Sequence, residues 1–402
     1  MTSSTRLARA AAAATALGVL LSGCGGGEGA SSAPKSGAAG AATKQTSMVQ
    51  PAPAASADSS TSSSSPANAA ASAAAPSVKK LRRLAHNINV PWGIAFLPNG
   101  NALVSSRDQA RIYRVKSNAR QHRIGTVPGV VSNGASGGEA GLLGLAVSPH
   151  FSTNHWLYAY MSTASDNRVV RMRYRHGSLG RVHVLLKGIP HGLHHNGGRI
   201  AFGPDGRLYV TTGEGGVASR AQHKKSLGGK ILRLTARGKA PGDNPFKGSP
   251  LVYSYGHRNI EGLAWDSAGR LWATEFGDHA WDELNLIRPG RNYGWPATEG
   301  RTSNPAYTSP KAVWHTYNAG PSGIAIINNV AWIGGVTGHR LLRVKLSGAS
   351  VASKKKFLVD RYGRLRTAAA APDGTLWLTT SNTDHRATPG PRDDRIFKFR
   401  VS

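Results

Sequence analysis

Along most of the chain, short runs of alternating apolar and polar positions are punctuated by Gly-, Pro- and Asp-containing turns, and helical spacing is nearly absent. One unit recurs. Trp92-Gly93-Ile94-Ala95-Phe96-Leu97-Pro98-Asn99-Gly100 reads as a short apolar strand ending in a turn, and it returns at 143–149, 199–206, 262–269, 323–329 and 367–374. A second strand follows each turn, at 101–105, 156–162, 208–212, 271–274, 330–334 and 376–380, which makes six hairpins with Pro-Asp-Gly-like turn chemistry. A third strand of half-buried pattern follows at 111–115, 169–174, 230–234, 283–287, 340–345 and 395–399. The anchor residues Ala95, Ala146, Ala201, Ala264, Ala325 and Ala369 recur at spacings suited to four-stranded blades with insertions. The expected fold is therefore all-β, a six-bladed β-propeller of four-stranded antiparallel blades spanning residues 79–402. The structural alternative, a β-sandwich, has no reason to repeat hairpins at this period.

The preceding residues read differently. Arg6 and Arg9 precede an apolar stretch, Ala10 to Leu21, too short to span a bilayer, and Leu21-Ser22-Gly23-Cys24 resembles a bacterial lipobox. Residues 1–23 are thus expected to be a lipoprotein signal peptide, with Cys24 as the lipidated residue; a cleaved secretory signal with an incidental cysteine is the duller reading. Cys24 is the only cysteine, which excludes an intramolecular disulfide. Residues 24–78 are mostly Ala, Ser, Gly, Pro and Thr and cannot bury enough apolar surface to offset ordering entropy, so a disordered tether is expected. Together these segments predict an exported protein anchored to the outer face of the cell membrane.

The formal net charge is +30, from 50 Lys+Arg against 20 Asp+Glu. The cations are scattered singly along strands and turns, with no recognition helix, zinc-finger spacing or base-stacking aromatic run, so nucleic acid is not an expected partner. Anionic wall polymers or lipid headgroups near the anchor fit better.

Propeller topology locates the candidate chemistry. In each blade the loop before the first strand and the loop after the second open on the same face, so all such loops ring one mouth. The former loops carry Glu139, His195, Arg258, Arg364 and Arg366; the latter carry Glu214 and Gly277-Asp278. His195 and Arg258 each stand six residues before their anchor alanine, so both are expected at one central cavity. A histidine among arginines and carboxylates points to an anionic ligand and proton transfer. Acidic residues look too scarce to neutralise Arg258, Arg364 and Arg366, which leaves those guanidiniums for the anion. Other readings stay open: a solvated loop for His195, a transition-metal site at His191, His194 and His195, and a solvent-facing, structural-calcium or near-cofactor position for Asp282 and Glu283. Trp92, Trp265 and Trp295 suit packing between blades better than sugar platforms.

Gly141-Leu142-Leu143-Gly144-Leu145-Ala146, His195-Asn196-Gly197-Gly198-Arg199, Tyr255-Gly256-His257-Arg258-Asn259, and Asp282-Glu283-Leu284-Asn285 through Asn292-Tyr293-Gly294-Trp295-Pro296 resemble the soluble PQQ-dependent glucose/sorbosone (aldose sugar) dehydrogenases, from about Leu84 to the C-terminus. The resemblance implies pyrroloquinoline quinone (PQQ) and calcium as cofactors, a sugar substrate oxidised at C1 to the lactone, and electrons passed to an external acceptor, a quinone or cytochrome, since the chain has no Cys-x-x-Cys-His haem motif. It implies that His195 is the base, with Glu214 as its acid partner, and that Arg258 stabilises charge on the cofactor. Glu139, Asn259, Arg364 and Arg366 would also contact the cofactor, and the carbonyls of Gly277 and Asp278 would take calcium.

Three positions depart from the family pattern. Glu214 stands where Asp is usual, Thr337 where some members have a cofactor-binding lysine, and Glu139 where a glutamine is found. His339 or Arg340 are the candidates to replace the lysine's charge. Two other functions compete: a non-catalytic ligand-binding propeller, and a calcium-dependent lactonase-like hydrolase using metal-activated water.

Overall fold

The computed structural model describes residues 75–402. The expected signal peptide, Cys24 and most of the tether lie outside the described residues. Six antiparallel sheets follow one another around an axis, each with its four main strands in simple order from inside to outside, a six-bladed β-propeller. Blade 1 comprises Pro91–Phe96, Ala102–Ser106, Arg111–Val115 and Gln121–Thr126; blade 2 Leu142–Val147, Trp156–Ser162, Asn167–Arg175 and His183–Ile189; blade 3 Ile200–Phe202, Leu208–Thr211, Lys230–Leu234 and Val252–Tyr255. Blade 4 comprises Ile260–Trp265, Leu271–Glu275, Trp281–Ile287 and Ala312–His315, and blade 5 Pro321–Ile327, Val330–Gly335, Arg340–Ser347 and Ser350–Phe357. Blade 6 takes Leu365–Ala370, Leu376–Thr380 and Ile396–Val401 from the C-terminal end, and its outer strand, Val78–Ala85, from the start of the described chain.

That outer strand closes the ring. Val78 pairs with Val401 and Ala85 with Ile396. Val78 therefore belongs to a strand, although composition placed it at the end of the tether; its partner lies more than three hundred residues away, which no local pattern records.

The repeat has a packing cause. Each anchor alanine on an innermost strand pairs across the ladder with a larger residue on the second: Ala95 with Leu103, Ala146 with Tyr158, Ala201 with Tyr209, Ala264 with Trp272, Ala325 with Trp332, and Ala369 with Trp377. Strands converge toward the axis, so small side chains sit inside and large ones fill the widening gap. Six apolar clusters result, one between each pair of neighbouring blades. Second-strand hydroxyls then bridge to the inner strand of the next blade, Ser105 Oγ to the Leu143 carbonyl at 2.6 Å and Thr211 Oγ1 to the Ile260 carbonyl at 2.8 Å.

Arg199 crosses the axis. Its guanidinium lies over the Trp92 ring at 4.2 Å and donates to the Glu261 and Trp92 carbonyls and to Thr367 Oγ1, joining blades 3, 4, 1 and 6. Burial lowers its pKa to about 10. Among the described residues no helix is long and apolar enough to cross a membrane.

Candidate active site

His195 lies in the loop entering blade 3, with φ at +58° followed by Gly197 and Gly198 at +61° and +103°. These left-handed residues turn the chain sharply before the strand begins and bring the imidazole against Glu214. The loop leaving the second strand passes so close that a Cβ on Gly213 would stand 1.9 Å from the His195 carbonyl oxygen, which explains glycine there. The next residue, Glu214, places both carboxylate oxygens on His195 Nδ1, at 2.8 and 2.9 Å. Glutamate's extra methylene is thus accommodated. A carboxylate on Nδ1 favours the tautomer with the proton on Nδ1 and a free lone pair on Nε2, the state of a base. The Glu214 loop is held from below by Lys230, whose buried Nζ donates to the Arg220, Ala221 and Gly228 carbonyls. Burial lowers the Lys230 pKa to about 7.

Glu139 reaches the same histidine from blade 2. One oxygen accepts the His195 backbone N–H at 2.8 Å and the other pairs with Arg386 at 3.2 Å. Both oxygens of this expected cofactor contact therefore have protein partners. Burial opposes its charge, but Arg386, His195 and the His195 N–H outweigh that and hold its carboxyl below the usual value. Asn259 donates nothing here; its buried side-chain oxygen accepts the Gly197 N–H at 2.9 Å, tying blade 4 to the histidine loop.

Arg258 stands beside them. Its Nη2 donates to Asp278 at 2.6 Å, its guanidinium lies 5.3 Å from the Trp295 ring centre, and its buried Nε has no partner. Its backbone N–H is taken by Glu275 at 2.6 Å, and Glu275 also accepts from His257 Nδ1, which stacks on Tyr293 at 4.6 Å. The sequence reading did not single out Glu275 as a site residue; only a strand-end carboxylate marks it.

Arg364 and Arg366 correct one inference. Acidic residues are few, yet they are concentrated here: Asp384 accepts from Arg364 at 2.9 Å and from Arg366 at 3.2 Å, and Glu261 accepts from Arg366 at 2.9 Å. These arginines are neutralised within the protein. A charge count taken over the whole chain missed this, because burial drives each guanidinium to find a carboxylate however rare carboxylates are. Asp384, Glu261 and Arg386 were not among the predicted site residues.

Gly277 and Asp278 leave the second strand of blade 4. The turn is organised by Glu299, one oxygen of which accepts the N–H groups of Asp278, Ala280 and Trp281 at 2.7, 3.0 and 2.9 Å. Asp282 accepts the N–H groups of Gly277 and Gly320, and burial raises its pKa to about 6. Glu283 is buried beneath, where desolvation, then the Glu275 charge, push it up to about 8. Both are buried rather than solvent-facing. A Cβ on Gly277 would stand 2.1 Å from the Trp281 carbonyl, so the tight turn requires glycine. Thr337 is exposed on the loop that leaves the second strand of blade 5.

Among the described residues no set of three or more His, Cys, Asp or Glu side chains has metal-holding geometry, so His191, His194 and His195 form no transition-metal site. Trp92 packs on Arg199 within a blade interface and Trp265 against Tyr209, as packing residues do.

The sequence pattern of the Glucose / Sorbosone dehydrogenase family matches residues 88–388. The chain belongs to this family. A solved structure, the PQQ-bound aldose sugar dehydrogenase of Streptomyces coelicolor, is 51% identical, superposes with a TM-score of 0.79, and covers 82% of this chain and 99% of its own. Aldose sugar dehydrogenase YliI of Escherichia coli is 27% identical over 75% of this chain and 89% of its length. Quinoprotein glucose dehydrogenase B of Acinetobacter calcoaceticus is 32% identical over 55% of this chain and 53% of its length. Within the family match lie His195, Glu214, Arg258, Asn259, Arg364, Arg366 and Arg386.

Proposed function

We propose that the protein is a PQQ-dependent aldose sugar dehydrogenase whose base is His195. The observation that carries this reading is the Glu214–His195 pair, with a free Nε2, facing the same mouth as Arg258 in a chain of this family. The donor set fits the cofactor: Arg258 offers a buried, unpartnered Nε to an anion, and the Gly277 and Asp278 carbonyls are oxygens of the kind a hard cation prefers. When bound, PQQ would supply a two-electron acceptor beside the sugar, with calcium as its Lewis acid.

The chain's own residues do the rest. His195 Nε2 takes the proton of the sugar C1 hydroxyl as that carbon is oxidised to the lactone. Glu214 holds the ring in the required tautomer and stabilises the imidazolium that forms. Arg258, always cationic, offsets the negative charge that develops on the cofactor side of the site. Asn259 braces the Gly197 turn and hence the His195 backbone. Electrons then pass to an external acceptor, a quinone or cytochrome.

The test is a PQQ titration of the purified protein with calcium, followed by dye reduction with a panel of aldoses. Stoichiometric binding and sugar-dependent reduction are expected; His195→Ala should keep binding and lose turnover. Absence of binding at cofactor concentrations well above that of the protein overturns the reading. We also infer an exported lipoprotein anchored through Cys24, which predicts fatty-acid labelling of the wild type and none of Cys24→Ser.

A further inference from the structure

Five guanidiniums on the mouth side have acidic partners, while Arg220 is engaged by the Glu214 and Gly215 carbonyls. Arg107 pairs with Asp108, Arg258 with Asp278, Arg364 and Arg366 with Asp384 and Glu261, and Arg386 with Glu139. An arriving anion must therefore draw a guanidinium away from a carboxylate, and these pairs are not equally easy to open. Arg364 and Arg366 are 8% and 3% exposed, and Asp384 and Glu261 0% and 5%. Opening either pair strands a buried charge, which is strongly unfavourable. Arg366 also has all three nitrogens engaged, by Ser381, Glu261 and Asp384.

Arg386 is different. Its side chain is 31% exposed and that of Glu139 18%, so this pair is more open to solvent than those of Arg364 and Arg366 and costs less to break. Glu139 does not become an orphan when the pair opens, because its other oxygen keeps the His195 N–H. Its Nη2 also donates to the Gly137 carbonyl at 2.9 Å, a backbone oxygen that water can serve once the pair opens, and its backbone N–H is accepted by Asp384 at 3.2 Å, so the guanidinium can turn while its base stays fixed. It lies on the loop leaving the second strand of blade 6, on the mouth face, with blade 5 separating that blade from the one Arg258 enters.

We propose that Arg386 is a cofactor-binding residue, exchanging Glu139 for a ring carboxylate of the pyrroloquinoline tricarboxylate. The inference rests on the PQQ reading above. It makes Glu139 a competitor for Arg386 and gives the two side chains opposite effects on affinity. A guanidinium fork meets a carboxylate through paired hydrogen bonds, so its removal should be felt directly in binding.

The experiment is a PQQ titration with calcium on wild type, Arg386→Gln and Glu139→Gln, read by cofactor absorbance, with thermal melting alongside. Arg386→Gln should raise the Kd about tenfold or more. Glu139→Gln should leave the Kd unchanged or lower it, because glutamine still offers an oxygen to the His195 N–H while the competing charge is gone. A purely architectural pair would make both variants bind more weakly, and that result, or an unchanged Kd in Arg386→Gln, overturns the proposal. Should Arg386→Gln melt early, Arg386→Lys carries the test: it keeps the charge without the fork and should bind between wild type and Gln, and wild-type affinity in it overturns the proposal. Failure of the wild type to bind PQQ overturns the cofactor reading first and this inference with it, and is told apart by the wild-type arm alone.

Discussion

Two carboxylates do opposite things because of what surrounds them. Glu214 faces a histidine ring nitrogen and works as an orienting anion; Glu283, buried on the third strand of blade 4 opposite Glu275, is pushed up to about 8 by burial and that neighbouring charge. Replacing Glu214 with Gln removes the preference for the Nδ1–H tautomer and should lower kcat/KM by about two to four orders of magnitude. Glu214→Asp should lose less. PQQ titration should show near-native binding for both, so steady-state kinetics and binding together check the assignment. For Glu283 the sign follows from its raised pKa. The folded state holds the proton more tightly than the unfolded chain, so the stability it contributes is complete below the unfolded value, near 4.5, and is lost as pH rises toward about 8. Glu283→Gln should therefore melt with a flatter pH profile and gain on wild type at pH 8–9, by on the order of 1 kcal/mol. A parallel pH profile in the two proteins would refute it. His195 and Glu214 were legible because their loops keep a fixed distance from the repeating strands. Glu261 and Asp384 were not, since their partners are Arg366 and Arg364 and no periodicity links those positions.

At the scale of the element, the hairpin is the unit that the pattern records. Alanine on the inner strand and a large residue on the second, separated by a Pro-Asp-Gly or similar turn, state both the register and the taper of a blade. The fourth strands were less visible, because they lie at the outer edge and share no common pattern, from the short Val252–Tyr255 to the lysine-bearing Ser350–Phe357. Loops carry the chemistry but hold their shape through single distant carboxylates. Glu299 gathers three N–H groups from the turn that presents the Gly277 and Asp278 carbonyls. Glu299→Ala should loosen that turn and raise the calcium concentration needed for half-maximal PQQ reconstitution about tenfold, an effect of the size seen when outer partners of metal ligands are lost. A calcium titration at fixed PQQ measures it, and an unchanged midpoint would separate this turn from calcium.

For the whole molecule, closure and the axis matter most. Val78–Ala85 joins the two ends of the described chain in one sheet, and Arg199 ties four blades across the centre. Arg199→Met removes a buried guanidinium with three acceptors and its contact with Trp92; the orphaned carbonyls predict a loss of about 3 kcal/mol, measurable by urea or thermal unfolding. Stability within about 0.5 kcal/mol of wild type would show the axis to be held by the blades alone. The sequence by itself determined the fold class, the number of blades and which loops share the mouth, because each follows from a repeat whose period is local. The family and its ordered motifs were equally legible. Only the tertiary structure decided which carboxylate each guanidinium takes, why Glu139 has both oxygens engaged, and how the first strand completes the last blade. Those outcomes depend on burial and on contacts between blades, where the cost of an unpaired charge selects partners that lie far apart along the chain.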